Sequence, residues 1–84
     1  FTDIPYRVRI DADVPRKLGS ALLGRDVIRS VEVIDETLHV QTDDLGDLGR
    51  MLPSLAQSLD VRLTLVQPED LSLESVFRYL VHGR

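Results

Sequence analysis

Two alternating runs separated by only two residues constrain this chain more than any other feature. Val31-Glu-Val-Ile34 and Thr37-Leu-His-Val-Gln-Thr42 lie on either side of Asp35-Glu36. Strands this close leave no room for a crossover, so they must pair as an antiparallel hairpin. The first strand spans roughly 27–34, with Val31 and Val33 on one face. The second places Leu38 and Val40 inward and His39 on the polar side.

The flanking segments repeat one pattern twice. Tyr6-Arg-Val-Arg-Ile10 alternates strictly, which predicts a half-buried strand with Arg7 and Arg9 outward. There Arg7 and Arg9 are expected to meet acids across the sheet, such as Glu32. Asp13 is positioned to cap a helix that tolerates Pro15 in its first turn, repeats Val14, Leu18, Ala21 and Leu22 at helical spacing, and stops at Gly24. After the hairpin, Asp43-Asp44 offers an N-cap and Asp47 suits the first turn. Leu45, Leu48, Leu52, Leu55, Ala56 and Leu59 then form a stripe interrupted by Pro53. A proline inside a helix costs around 3 kcal/mol, so the spacing predicts a short first turn or two and a cleaner helix from Pro53 to Leu59. Val61–Val66 is the fourth strand, with Val61, Leu63 and Leu65 on one face, ended by Gln67-Pro68-Glu69-Asp70. Ser72 then caps a last helix in which Leu73, Val76, Phe77 and Leu80 fall at i, i+3, i+4 and i+7.

The order is strand-helix-strand-strand-helix-strand plus one further helix. That order predicts an α+β, ferredoxin-like βαββαβ sandwich: a four-stranded antiparallel sheet in the order 4-1-3-2, with two helices on one face. The apolar stripe of the extra helix must cover an open edge or face of the domain, or bury itself in a neighbour. Residues 1–5 are expected to be a linker remnant and 6–84 one domain.

At 84 residues, a chain buries only about 60–65% of its unfolded surface, so its stability is expected to be modest. With no cysteine, disulfides and thiolate metal sites are excluded. No apolar run approaches the roughly 20 residues that span a bilayer. Fourteen acids against 10 bases give a net charge of −4, the wrong sign for nucleic acid or an anionic membrane. The start at Phe1 rather than Met suits a fragment of a longer protein.

Nothing along the chain carries chemistry. The single lysine, Lys17, lies in Pro-Arg-Lys-Leu-Gly-Ser and lacks the GxxxxGK(S/T) frame that cradles phosphates. His39 and His82 share no ligand spacing, and the simplest role of His82 is a favourable charge at a helix C-terminus. The serines have no nucleophile-elbow context. The acidic pairs Asp43-Asp44 and Glu69-Asp70 precede helices, where carboxylates satisfy free N–H groups. No catalytic residue, cofactor-binding residue or metal ligand is assigned.

Leu71–Gly83 resembles the "sLEdvFlxltG" ending of bacterial ABC transporter ATP-binding subunits, especially the ABC-2, daunorubicin-resistance-like exporters. Leu73-Glu74, Val76-Phe77 and Gly83 carry the match, and Ser75 stands where these proteins usually have Asp. Asp26–Val33 fits the hairpin entry of the same appendage. The resemblance implies a C-terminal regulatory or dimerisation domain that supports ATP-driven export without binding or hydrolysing ATP. ATP and Mg would then belong to an upstream domain. The implied partners are that nucleotide-binding domain, a second ATPase subunit and, indirectly, a membrane permease, with no nucleic acid. The implied location is cytoplasmic, at the inner face of the membrane. Ser72, Leu73, Glu74, Val76, Phe77 and Leu80 form the implied motif and contact surface. An ACT-like domain sensing a small molecule at a dimer interface is the alternative, since such sites use backbone and loop groups that leave weak sequence traces.

Overall fold

The hairpin forms as its spacing requires. Asp35 and Glu36 both take left-handed backbone angles, with φ of 50° and 67°, which is how a two-residue turn matches the twist of its strands. In the computed structural model, which describes residues 5–69, 80 and 81, the hairpin strands are Ile28–Ile34 (β2) and Thr37–Thr42 (β3). Before them come Tyr6–Ala12 (β1) and Pro15–Leu22 (α1), and after them Leu45–Leu59 (α2) and Leu63–Pro68 (β4). The described residues form an α+β arrangement, with a four-stranded antiparallel sheet in the order β2-β3-β1-β4 and the helices α1 and α2. Counted from the β4 edge, the same sheet runs 4-1-3-2. Leu80 and Val81 are helical, and no helix among the described residues is long and apolar enough to cross a membrane.

One face of the sheet carries the core. Val8 and Ile10 of β1 meet Leu38 and Val40 of β3 beneath Leu18 and Leu22 of α1 and Leu48, Leu52, Leu55 and Ala56 of α2. Fully burying an aliphatic side chain of this size contributes roughly 1.5–3 kcal/mol. Thr42 is buried on the same face, and its hydroxyl donates to the Val27 carbonyl at 2.8 Å, so no buried donor is wasted. Pro5, expected in a linker, is buried.

Several expectations are corrected. Helix α2 runs unbroken through Pro53. Leu48 and Leu52 before the proline and Leu55 and Ala56 after it all bury against one sheet, and that shared burial offsets the missing hydrogen bond. The carbonyl Pro53 leaves unpaired is that of Gly49, four residues back, which is exposed and open to water. Asp13 does not cap α1. Val14 occupies the N-cap position with no side-chain bond, while Pro15 sits at the helix start. Strand β4 begins and ends two residues later than its alternation predicts, and Val61 is buried just ahead of it.

The face of Leu65 also differs. The register slips between Asp11 and Ala12, so that Ala12 pairs with Leu63 but Asp11 pairs with Leu65. The extra residue is Thr64, whose hydroxyl donates to the Asp11 carbonyl at 3.2 Å. A bulge of this kind reverses the side-chain phase beyond it. Leu63 therefore joins the core, Leu65 turns to the open face, and Val66 takes the inner face opposite Ile10.

Candidate functional site

The sheet face away from the helices is mostly polar, with Ile34 and Leu65 the apolar exceptions at its two edges. Across it, Arg9 stands between His39 and Gln67, and Asp11 between Thr37 and Leu65. The two arginines meet acids near at hand rather than Glu32. Arg7 Nε lies 3.4 Å from Glu69 Oε2, and Arg9 Nη2 lies 3.9 Å from Asp11 Oδ2. Strand β3 separates β1 from β2 and puts Glu32 opposite His39. His39 Nδ1 approaches Glu69 Oε1 at 3.7 Å, and Thr37 Oγ1 donates to Asp11 Oδ1 at 2.8 Å. These are half-exposed pairs of alternating sign and contribute little stability each. They also leave no single-sign field to hold an anion and no aromatic platform for a base.

Two further surface features among the described residues lie on the helix side. A broad, open cleft of about 430 Å³ is lined by Gly24, Arg25, Asp26, Val27, Asp47 and Met51. Its charges are mixed, and Asp47 is already engaged: its N–H donates to the capping Asp44 Oδ1 at 3.0 Å and its carboxylate lies 3.7 Å from Arg50 Nη2. This set does not converge on a ligand. No three His, Asp or Glu side chains gather to hold a metal among the described residues.

The second feature is a groove of about 110 Å³ between α2 and β4. Val8 forms its floor strand, with Leu45, Leu48, Gly49 and Leu52 on the α2 side and Val66 and Pro68 on the β4 side. Its walls are wholly apolar. Val66 is 44% exposed, although Ile10 directly opposite it is fully buried. The difference is positional: β4 is an edge strand, and α2 does not roof its outer half. Such a surface can offer contact area; it cannot move protons or bind charge.

Of the residues singled out in the sequence, Leu80 is helical and 57% exposed. Ser72, Leu73, Glu74, Val76, Phe77 and His82 lie outside the described residues. The α2 side of the groove was legible as a helical stripe. Val66 and Pro68 were not, because the bulge that sets their face involves a strand more than fifty positions earlier. No family model, curated protein or solved structure matches the chain.

Proposed function

We propose that this chain is a ferredoxin-like accessory domain of an ABC transporter ATP-binding subunit. In this reading it acts as contact surface that holds two such subunits together or tunes their closure during export. The observation that carries the reading is the resemblance of Leu71–Gly83 to the family ending, directly behind a βαββαβ unit. Two features are consistent with a contact role. The groove beside β4 is apolar and open, and in the larger cleft the Asp47 carboxylate already lies beside Arg50. ATP, Mg and hydrolysis belong to the upstream domain in this scheme, and the permease places the assembly at the inner membrane face.

Sedimentation across a concentration series tests the pairing role. A dimer forming in the low micromolar range supports it. A strict monomer at high concentration overturns self-pairing. A dimer that forms only on addition of a free amino acid overturns it in favour of the ACT-like alternative.

A further inference from the structure

We propose that two copies of this chain join edge to edge along β4, with Val66 on the two-fold axis, so that their sheets run on into one another. This names the surface and the partner for the contact role above, and it rests on that reading.

The backbone points to Val66. Glu69 N–H donates inward to the Arg7 carbonyl at 2.8 Å, and Gln67 and Leu65 pair with Arg9 and Asp11 in the same phase. Backbone groups alternate along a strand, so Val66 turns its N–H and C=O to the outer edge. Among the described residues, β4 has no neighbour on that side. Pro68, the next outward position, has no N–H to give, and the bulge at Thr64 bounds the edge at its other end. Setting Val66 against Val66 of the copy closes a reciprocal pair of N–H···O=C bonds on the axis. The same register places Pro68, which lacks a donor, opposite the bulged Thr64.

The side chains favour this edge over β2. Helix α1 roofs β2: a Cβ at Gly19 would lie 3.2 Å from Val31 Cγ1, and Val31 and Val33 pack against the core. A copy docking there gains little beyond backbone bonds. Val66, on the inner face of β4, is 44% exposed and borders the apolar groove with Leu45, Gly49 and Pro68. Pairing along β4 brings the Val66 methyls of both copies together at the mouth of that groove, adding apolar burial to the backbone bonds. Gly49, where a Cβ would meet nothing within 4 Å, leaves room on the α2 side.

Charge selects a second copy in the antiparallel sense. Strand β4 is preceded by Arg62, which is exposed and has no ion pair among the described residues, and is followed by Glu69. In the register centred on Val66, Arg62 of each copy falls one position from Glu69 of the other, so opposite charges meet at both ends of the seam. A parallel pairing would set like charges together.

The chain has no cysteine, and three apolar positions of nearly equal exposure serve as probes: Val66 (44%) on β4, Ile34 (47%) on β2 and Val14 (44%) between β1 and α1. Val66→Cys, Ile34→Cys and Val14→Cys are each oxidised at low micromolar concentration. A disulfide of dimer mass is expected to form about ten-fold faster with Val66→Cys than with the other two, because the axis holds the two thiols together. Val66→Lys, which sets two like charges on the axis, is expected to weaken the dimer in sedimentation by about ten-fold or more. Equal oxidation rates at the three positions would overturn the proposal, and fastest oxidation with Ile34→Cys would give the seam to β2. A dimer unmoved by Val66→Lys overturns this seam and leaves the contact reading standing. A chain that stays monomeric at high concentration overturns both the seam and self-pairing.

Discussion

Asp13 and Arg62, 49 positions apart, are joined by a reciprocal pair of bonds. The Asp13 carboxylate accepts from Arg62 N–H at 2.8 Å, and Asp13 N–H donates to the Arg62 carbonyl at 3.1 Å. The pair ties the connection from β1 to α1 to the one from α2 to β4. It closes the end of the sheet at which β1 and β4 meet. A residue expected to cap the nearest helix is instead a latch between distant segments.

The latch and the cap predict different mutational behaviour. Serine serves as an N-cap about as well as aspartate, but its shorter side chain falls short of Arg62. Both Asp13→Ser and Asp13→Ala are therefore expected to cost about 1 kcal/mol, the net worth of one such hydrogen bond. Urea unfolding should show a lower midpoint with an unchanged slope. A neutral Asp13→Ser would contradict the latch.

Asp44 behaves in the opposite way. It is the N-cap of α2 and accepts from Asp47 N–H at 3.0 Å. Asp44→Ala is expected to cost about 1 kcal/mol, while Asp44→Ser stays within a few tenths. The same unfolding measurement reads both.

The β2–β3 turn holds two non-glycine residues at positive φ, Asp35 at 50° and Glu36 at 67°. For L-residues this conformation costs roughly 1–2 kcal/mol each, less for Asp. Replacing the pair with Asn-Gly, the preferred sequence for this turn, is expected to raise stability by about 1 kcal/mol. A thermal melt that does not move upward would show that the turn carries no strain.

Gly19 and Gly49 separate propensity from packing. Both are helical, but a Cβ at Gly19 would lie 3.1 Å from Leu38 Cδ2 and 3.2 Å from Val31 Cγ1, whereas one at Gly49 meets nothing within 4 Å. Gly49→Ala is expected to gain about 0.5–1 kcal/mol. Gly19→Ala should gain less, because two core methyls must shift, and Gly19→Val should lose about 1–3 kcal/mol by overpacking. Equal gains from both alanines would mean that α1 sits farther from the sheet than described.

Restoring the donor at position 53 probes the unbroken helix. Pro53→Ala returns an N–H facing the Gly49 carbonyl and is expected to stabilise the protein by about 1–3 kcal/mol. A neutral result would favour two helical segments over one.

What the sequence determined by itself is everything governed by near neighbours. The two-residue gap at Asp35-Glu36 dictated the hairpin. Strict alternation at Tyr6–Ile10 set the first strand, Asp44 the start of α2, and the Leu48-Leu52-Leu55 stripe its buried side. These follow from backbone geometry and side-chain spacing within a few residues, which any folded context must respect. Tertiary structure alone decided the rest. Pro53 stays within one helix because residues on both sides of it share a single sheet. Asp13 finds Arg62, and Arg7 finds Glu69, because strand pairing brings those groups close. The bulge at Thr64 turns Leu65 outward and Val66 inward, and so builds the apolar groove. Register between strands far apart in sequence is a property of the assembled sheet, and one extra residue in it reverses every face that follows.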